Sequence, residues 1–212
     1  MNRTLAEIRS DIQVRLGFGM AGQAGVVNSP LIDSMIRNAQ DQLYQQYDWL
    51  QQKGYLERLT GQQQQFYDYP ADCEPERLRL VCIKDAGFWR ELREGIRPED
   101  RSSTVQRNVP LKFDRAAQVE LWPVPNQQYS LRFDYIKTLS PLTSDNHRTT
   151  IDDGLVFLHA LANAKLHYRQ PDASTYATQL DNMLTRLKAR NRGQSVWSKS
   201  APEREPFEYP PQ

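Results

Sequence analysis

Ser29 to Leu50 reads SPLIDSMIRNAQDQLYQQYDWL, and its apolar residues recur at helical spacing. Leu31, Ile32, Met35, Ile36, Ala39, Leu43 and Tyr47 share one long face that ends near Trp49 and Leu50. That is the stripe of a helix packed against a core. Ser29 suits the N-cap, and Pro30 suits the first helical position, where a missing N–H costs nothing. From Tyr55 the pattern changes to strict alternation, Tyr55-Leu56-Glu57-Arg58-Leu59-Thr60, which is the period of a strand. The boundary at 54/55 therefore separates a helical part from a β-rich part.

Upstream, Thr4-Leu5-Ala6-Glu7 is a capping box, with the threonine hydroxyl and the glutamate each placed to satisfy a first-turn amide. Leu5, Ile8, Ile12 and Leu16 repeat at helical spacing and Gly17 supplies a stop. Residues 17–28 hold four glycines and predict a loop. Downstream of Thr60, Gly61 turns the chain and Gln65 to Tyr69 returns, which predicts a hairpin with 55–60. Pro70-Ala71-Asp72 ends that strand. Leu78–Lys84 and Phe88–Arg93 predict a second hairpin turning at Asp85-Ala86-Gly87. One helical turn at Pro98-Glu99-Asp100 and strands at 111–113, 118–122 and 129–137 follow, with Pro123-Val124-Pro125-Asn126 forcing a turn. Several short strands at this spacing predict a small sandwich or barrel-like sheet.

Helix returns at Asp152, with Leu155, Leu158, Leu161, Ala162, Lys165 and Leu166 at helical spacing. Gln170-Pro171-Asp172 breaks it, Asp172 is placed to cap a fourth helix, and Gly193 closes that helix. Tyr176, Leu180, Met183 and Leu187 line its expected buried side. The predicted architecture is α+β: a discontinuous bundle of two N-terminal and two C-terminal helices, an inserted antiparallel β-rich domain, and an extended C-terminal tail. The expected divisions are 1–54, 55–137, 138–193 and 194–212.

Bulk properties bound the function. The chain has 212 residues, 39% of them hydrophobic, and a mean hydropathy of −0.74. That is polar for a domain of this size, as expected for disordered ends or for a protomer that buries polar surface against neighbours. Lys and Arg number 27 against 26 Asp and Glu, so total charge offers no argument for nucleic acid. No apolar run approaches the roughly 18 residues of a membrane span. The start, MNRTLAEIRSD, lacks the apolar centre of a signal peptide. Two cysteines, Cys73 and Cys82, do not make a disulfide scaffold, and a reducing cytoplasm fits them.

Candidate chemistry is sparse. His159 and His167 lie about two turns apart on one helix and His147 lies in a loop, so the three do not converge on a metal. Asp152-Asp153 point about 100° apart on a helix and suit its N-terminus. No catalytic residue, metal site or cofactor is implied. Arg186, Lys188, Arg190 and Arg192 form a cationic run near the end of the fourth helix. Two readings are open for it: a solvated face complementing the helix C-terminus, or contact with DNA phosphates or an acidic partner. The tail, QSVWSKSAPEREPFEYPPQ, has no folding pattern, yet it carries Val196, Trp197, Phe207, Tyr209 and Pro210. One reading is an ordinary terminus. The other is a strap whose aromatics anchor on another surface, with prolines limiting its free conformers. Extended at roughly 3.3 Å per residue, it reaches on the order of 60 Å.

The order of these parts resembles bacteriophage head-to-tail adaptor proteins. SPLIDSMIRNAQDQLYQQYDW is similar to that family's Ser-x-x-hydrophobic…Ile-Asn-x-Ala-Gln-x-x-Leu…Trp helix. FYDYPADCEPERLRLV resembles its Tyr-x-Leu-Pro-x-Asp strand end, with Tyr69 where leucine is usual. VELWPVPNQQYSLRFDYIKTLSPLT resembles its strand pair around Pro-x-Pro, and LVFLHALANAKLHYRQPDASTYATQLDNMLTRLKAR its closing helix pair. The resemblance covers residues 3–193. It implies a non-enzymatic ring, commonly of twelve copies, below the portal at the DNA exit of the capsid. Portal protein would lie on one side and a tail or nozzle protein on the other, with genomic DNA passing through the channel. It also implies C-terminal docking on the portal, a place in the virion at the head–tail junction, and assembly in the host cytoplasm. The alternatives are a nucleic-acid-binding protein using the 186–192 cations, a hydrolase of unfamiliar site, and another connector such as a stopper or tail-completion protein.

Overall fold

The computed structural model describes residues 2–18, 29–102 and 107–192. The fold is α+β, with two helices before a β-rich insertion and two after it. α1 (Leu5–Arg15) starts on the expected capping box: the Thr4 hydroxyl accepts from the Glu7 amide at 3.2 Å, and Glu7 Oε2 accepts from the Thr4 amide at 2.7 Å. Leu16 ends it and Gly17 adopts φ +86°, a left-handed conformation that favours glycine. α2 (Ser29–Gln46) buries Ile32, Ile36, Ala39 and Leu43. Ser29 lies within this helix rather than preceding it as the cap.

After a 3-10 turn at Leu50–Gln52 come β1 (Lys53–Leu59), β2 (Phe66–Tyr67), β3 (Cys73–Asp85), β4 (Phe88–Glu91) and β5 (Arg93–Glu94). A short helix, α3 (Pro98–Ser102), precedes β6 (Arg107–Asn108), β7 (Lys112–Arg115), β8 (Val119–Trp122), β9 (Val124–Pro125) and β10 (Ser130–Lys137). One antiparallel sheet has the order β1-β10-β3-β4, a second has β2-β8-β7-β5, and β6 pairs with β9. Two short pairings, β5–β7 and β6–β9, are parallel. The second hairpin is as expected, with Ala86 at φ +48° and Gly87 at +89° in its turn. The first is not a hairpin. β1 pairs with β10, Leu56 opposite Phe133, whereas β2 pairs with β8 in the other sheet. Tyr67 is fully buried between the sheets and its hydroxyl donates to the Gln64 carbonyl at 2.9 Å. Burial of that ring draws residues 66–67 away from β1. Leu78, Val81, Ile83, Leu121, Leu131 and Phe133 complete the core around it.

α4 (Asp153–His167) and α5 (Ala173–Arg192) close the bundle. α4 packs against α1, α2 and α5, so it buries more than one stripe: Val156, Phe157, Ala160 and Ala164 are buried beside Leu155 and Leu161. A helix enclosed on several sides loses its amphipathic period. Leu166, expected on the buried face, is 69% exposed. α5 packs through Leu180 and Leu184, with Tyr176, Met183 and Leu187 partly buried alongside. Asp172, expected as the cap, instead takes part in a half-exposed ion pair: the buried Lys165 Nζ donates to Asp172 Oδ2 and to Gln170 Oε1, both at 2.7 Å. Gly193 lies outside the described residues.

The bundle and sandwich meet through polar contacts. Arg77 donates to Asp48 and to the Tyr44 carbonyl, each at 2.9 Å, and stacks over the Tyr44 ring. The Tyr44 hydroxyl donates to the Lys137 carbonyl at 3.0 Å. At the end of β10, Ile136 belongs to the helical core.

Inside the bundle, His159 Nδ1 is buried without a hydrogen-bond partner among the described residues. Burial lowers its pKa below the ordinary 6.5, outweighing a bond with the Ala39 backbone. A base depressed by folding contributes stability above its unfolded value, and that contribution is lost as pH falls. The thermal midpoint is therefore expected to drop between pH 7.5 and 5.5, and His159→Leu is expected to flatten that drop. An unchanged pH slope in the variant would contradict this.

Candidate docking and nucleic-acid surfaces

α5 carries the cationic run, and packing divides it. Arg186 and Arg190, one turn apart, are exposed on the outer side of the helix. Neither makes an ion pair with another described residue. Lys188 is half-buried and turns inward, its Nζ 5.9 Å from the Tyr47 ring centre. The Arg192 side chain lies outside the described residues. One carboxylate, Asp181, lies within 181–192 against four cations in the sequence, and the exposed Arg186 and Arg190 make the outer side of α5 locally positive. Alternate spacing predicts cations all round the helix; the Tyr47 contact accounts for one that is withdrawn.

The proposed docking residues Val196, Trp197, Phe207, Tyr209 and Pro210 all lie outside the described residues. The carboxylates, the loop histidine and the cysteines singled out from the sequence make local structural contacts. Asp152 caps α4 by accepting from the Leu155 amide at 3.1 Å, and Asp153 takes the Arg3 guanidinium at 2.6 Å. His147 Nδ1 sits 2.9 Å from the Pro141 carbonyl within the connection before α4. The Cys73 and Cys82 thiols are free and buried, each pushed up to about 11 chiefly by burial and then by nearby carboxylates. No group of three or more metal-ligating side chains gathers among the described residues.

Two grooves of about 470 Å³ are open surface depressions. One runs between α2 and the connection Leu139–Thr143, and the other lies beside β3 and Glu91–Glu94. Exposed apolar side chains that the strand pattern left unremarked stand on β1 and β4: Tyr55, Leu59, Phe88 and Trp89. The signal was present as two strands carrying large apolar residues in both alternating sets, but reading Tyr55–Thr60 into a local hairpin covered one of these edges.

A helical bundle interrupted by a β-sandwich, with cations and apolar side chains turned outward, defines an α+β protein whose distinguishing features are surfaces. The model of the SU10 adaptor protein family matches residues 3–204, and the chain belongs to that family, a phage structural adaptor. No curated protein sequence matches the chain. No helix among the described residues is long and apolar enough to cross a membrane.

Proposed function

We propose that the chain is a head-to-tail adaptor, twelve copies of which form a ring beneath the portal at the head–tail junction. The ring extends the DNA channel and offers the tail or nozzle protein a platform, and its copies assemble in the host cytoplasm. The observation that supports this reading most strongly is the family match over residues 3–204, which spans both helix pairs and the inserted sandwich and continues past residue 193. In this reading, 1–54 and 138–193 form the bundle, 55–137 the inserted domain and 194–212 a strap docking on the portal.

Burial of Trp197, Phe207 and Tyr209 on a partner would contribute about 1.5–3 kcal/mol each before ordering costs, and ring symmetry would multiply a modest contact by avidity. A chain ending at residue 193 is therefore expected to keep the helical circular dichroism and melting of the full chain and to lose co-sedimentation with portal rings. Undiminished co-sedimentation of the shortened chain would remove the strap from this account.

Arg186 and Arg190 favour a second, narrower reading, that α5 faces DNA. Each phosphate contact contributes about −0.9 to the slope of log affinity against log salt. Arg190→Ala is expected to weaken binding to duplex DNA of any sequence and to flatten that slope by about one contact. Binding and slope equal to wild type would place these arginines on a merely solvated face.

A further inference from the structure

The first sheet ends in two strands paired on one side only, β1 at one edge and β4 at the other. Natural sheets usually protect such edges with charge, proline or a covering element. Here Tyr55 and Leu59 on β1 are each 63% exposed, and Phe88 and Trp89 on β4 are 79% and 40% exposed. Every residue of β4 is exposed.

Strand direction fits the two edges to each other. The pairings β1–β10, β10–β3 and β3–β4 are all antiparallel, so β1 and β4 run in opposite directions. A second copy in the same orientation then presents its β4 to β1 as an antiparallel neighbour. Side-chain alternation restricts the register. Leu56 lies opposite Phe133 on the core face, and Arg90 lies opposite Ile83 on that same face. Phe88, two residues from Arg90, therefore shares it. A continued sheet must set core-face residues against core-face residues.

Among the registers that do so, the one setting Leu56 beside Phe88 also sets Tyr55 beside Trp89 and Lys53 across from Glu91. A shift of two residues sets Leu56 against Arg90 and Glu57 against Trp89. A shift of four sets Arg58 against Arg90 and Glu57 against Glu91, which like charges disfavour. We propose that copies of this chain join head to tail by sheet extension, β1 of one pairing antiparallel with β4 of the next through Tyr55–Trp89 and Leu56–Phe88 contacts. The proposal rests on the ring-forming adaptor reading and names the surface that joins the ring. A heterologous contact of this kind closes when its rotation divides a full turn.

The test uses two full-length variants with different affinity tags, Tyr55→Cys and Trp89→Cys. They are mixed, with and without portal rings, and oxidised with copper phenanthroline. Directly opposed residues lie about 4.5–5.5 Å apart between Cα atoms, within disulfide reach. The native thiols are buried and pushed up to about 11, so they form little thiolate at neutral pH. The mixture is expected to yield a disulfide dimer carrying both tags, and each variant alone none. Dimers from either variant alone would bring like edges together and overturn the proposal.

Rings on the portal without a mixed disulfide would also overturn it and leave the adaptor reading standing. A mixed disulfide without portal binding would support edge pairing and remove the portal reading. Neither ring nor disulfide would overturn both. As an independent check, Phe88→Lys is expected to keep the wild-type circular dichroism and lose self-assembly; wild-type assembly by this variant would overturn the proposal.

Discussion

Replacing Phe133 with alanine is expected to lower unfolding free energy by about 3–5 kcal/mol, the usual cost of removing a fully enclosed phenylalanine. Phe133 has no exposed surface and sits on β10, between Leu56 of β1 and Val81 of β3. Its ring fills the space between the two sheets with Leu121, Leu131 and Tyr67, and β strands paired on both sides relax little around a cavity. The variant also tests the proposed division at 55–137. The sandwich core and the helical core are distinct clusters joined through β10, where Ile136 enters the helical one. If the insertion unfolds as its own unit, Phe133→Ala should lose sheet structure at lower urea than the helical signal at 222 nm. A single shifted transition seen by both probes would mean one cooperative unit. A loss below about 1 kcal/mol would mean that the ring is not packed as described.

Arg9→Ala is expected to cost about 2–3 kcal/mol, because it removes the group joining three segments and leaves a carboxylate unpaired. Arg9 of α1 grips Asp33 of α2 with two parallel bonds, Nε at 2.6 Å and Nη2 at 2.9 Å, and Nη2 reaches Asp145 at 2.5 Å. Arg9 and Asp33 are largely enclosed while Asp145 is open to water, which keeps the cost below that of a fully dry pair. Asp33→Asn in the Arg9→Ala background is expected to recover part of the loss, since the enclosed charge is then gone and the Asp145 carboxylate left behind is open to water. The Arg9 hydrogen bond holds the Asp145 carboxyl below its ordinary 3.8. An acid depressed by folding stabilises above its unfolded value and loses that contribution as pH falls below it. The stability difference between wild type and Arg9→Ala should therefore shrink below about pH 4. Equal stability at pH 7 would show that the linkage is only a surface ion pair.

What the sequence made legible was local. The Thr4–Glu7 capping box, the stripe from Ile32 to Leu43 and the Asp85-Ala86-Gly87 turn are each written within a few residues, and each stands as expected. Pairing between distant strands leaves no such mark. Tyr55–Thr60 and Gln65–Tyr69 look like neighbours until Tyr67 is seen buried in the other sheet. α4 misled for a different reason: enclosed by three helices, it has no single apolar stripe, and extending one assigned Leu166 to the core. For the surfaces, the cationic run could be read from sequence, but which of its members turn outward depended on Tyr47, far away in the chain just past the end of α2. The exposed edges of β1 and β4 became visible only with the strand order.

The most direct test of the adaptor reading is electron microscopy of isolated portal rings after incubation with the full-length chain. The reading predicts a second ring of twelve copies stacked coaxially on the portal, its central opening continuing the channel. Portals that remain bare while the added protein is folded and in excess would contradict it and shift weight to a DNA-binding role for α5.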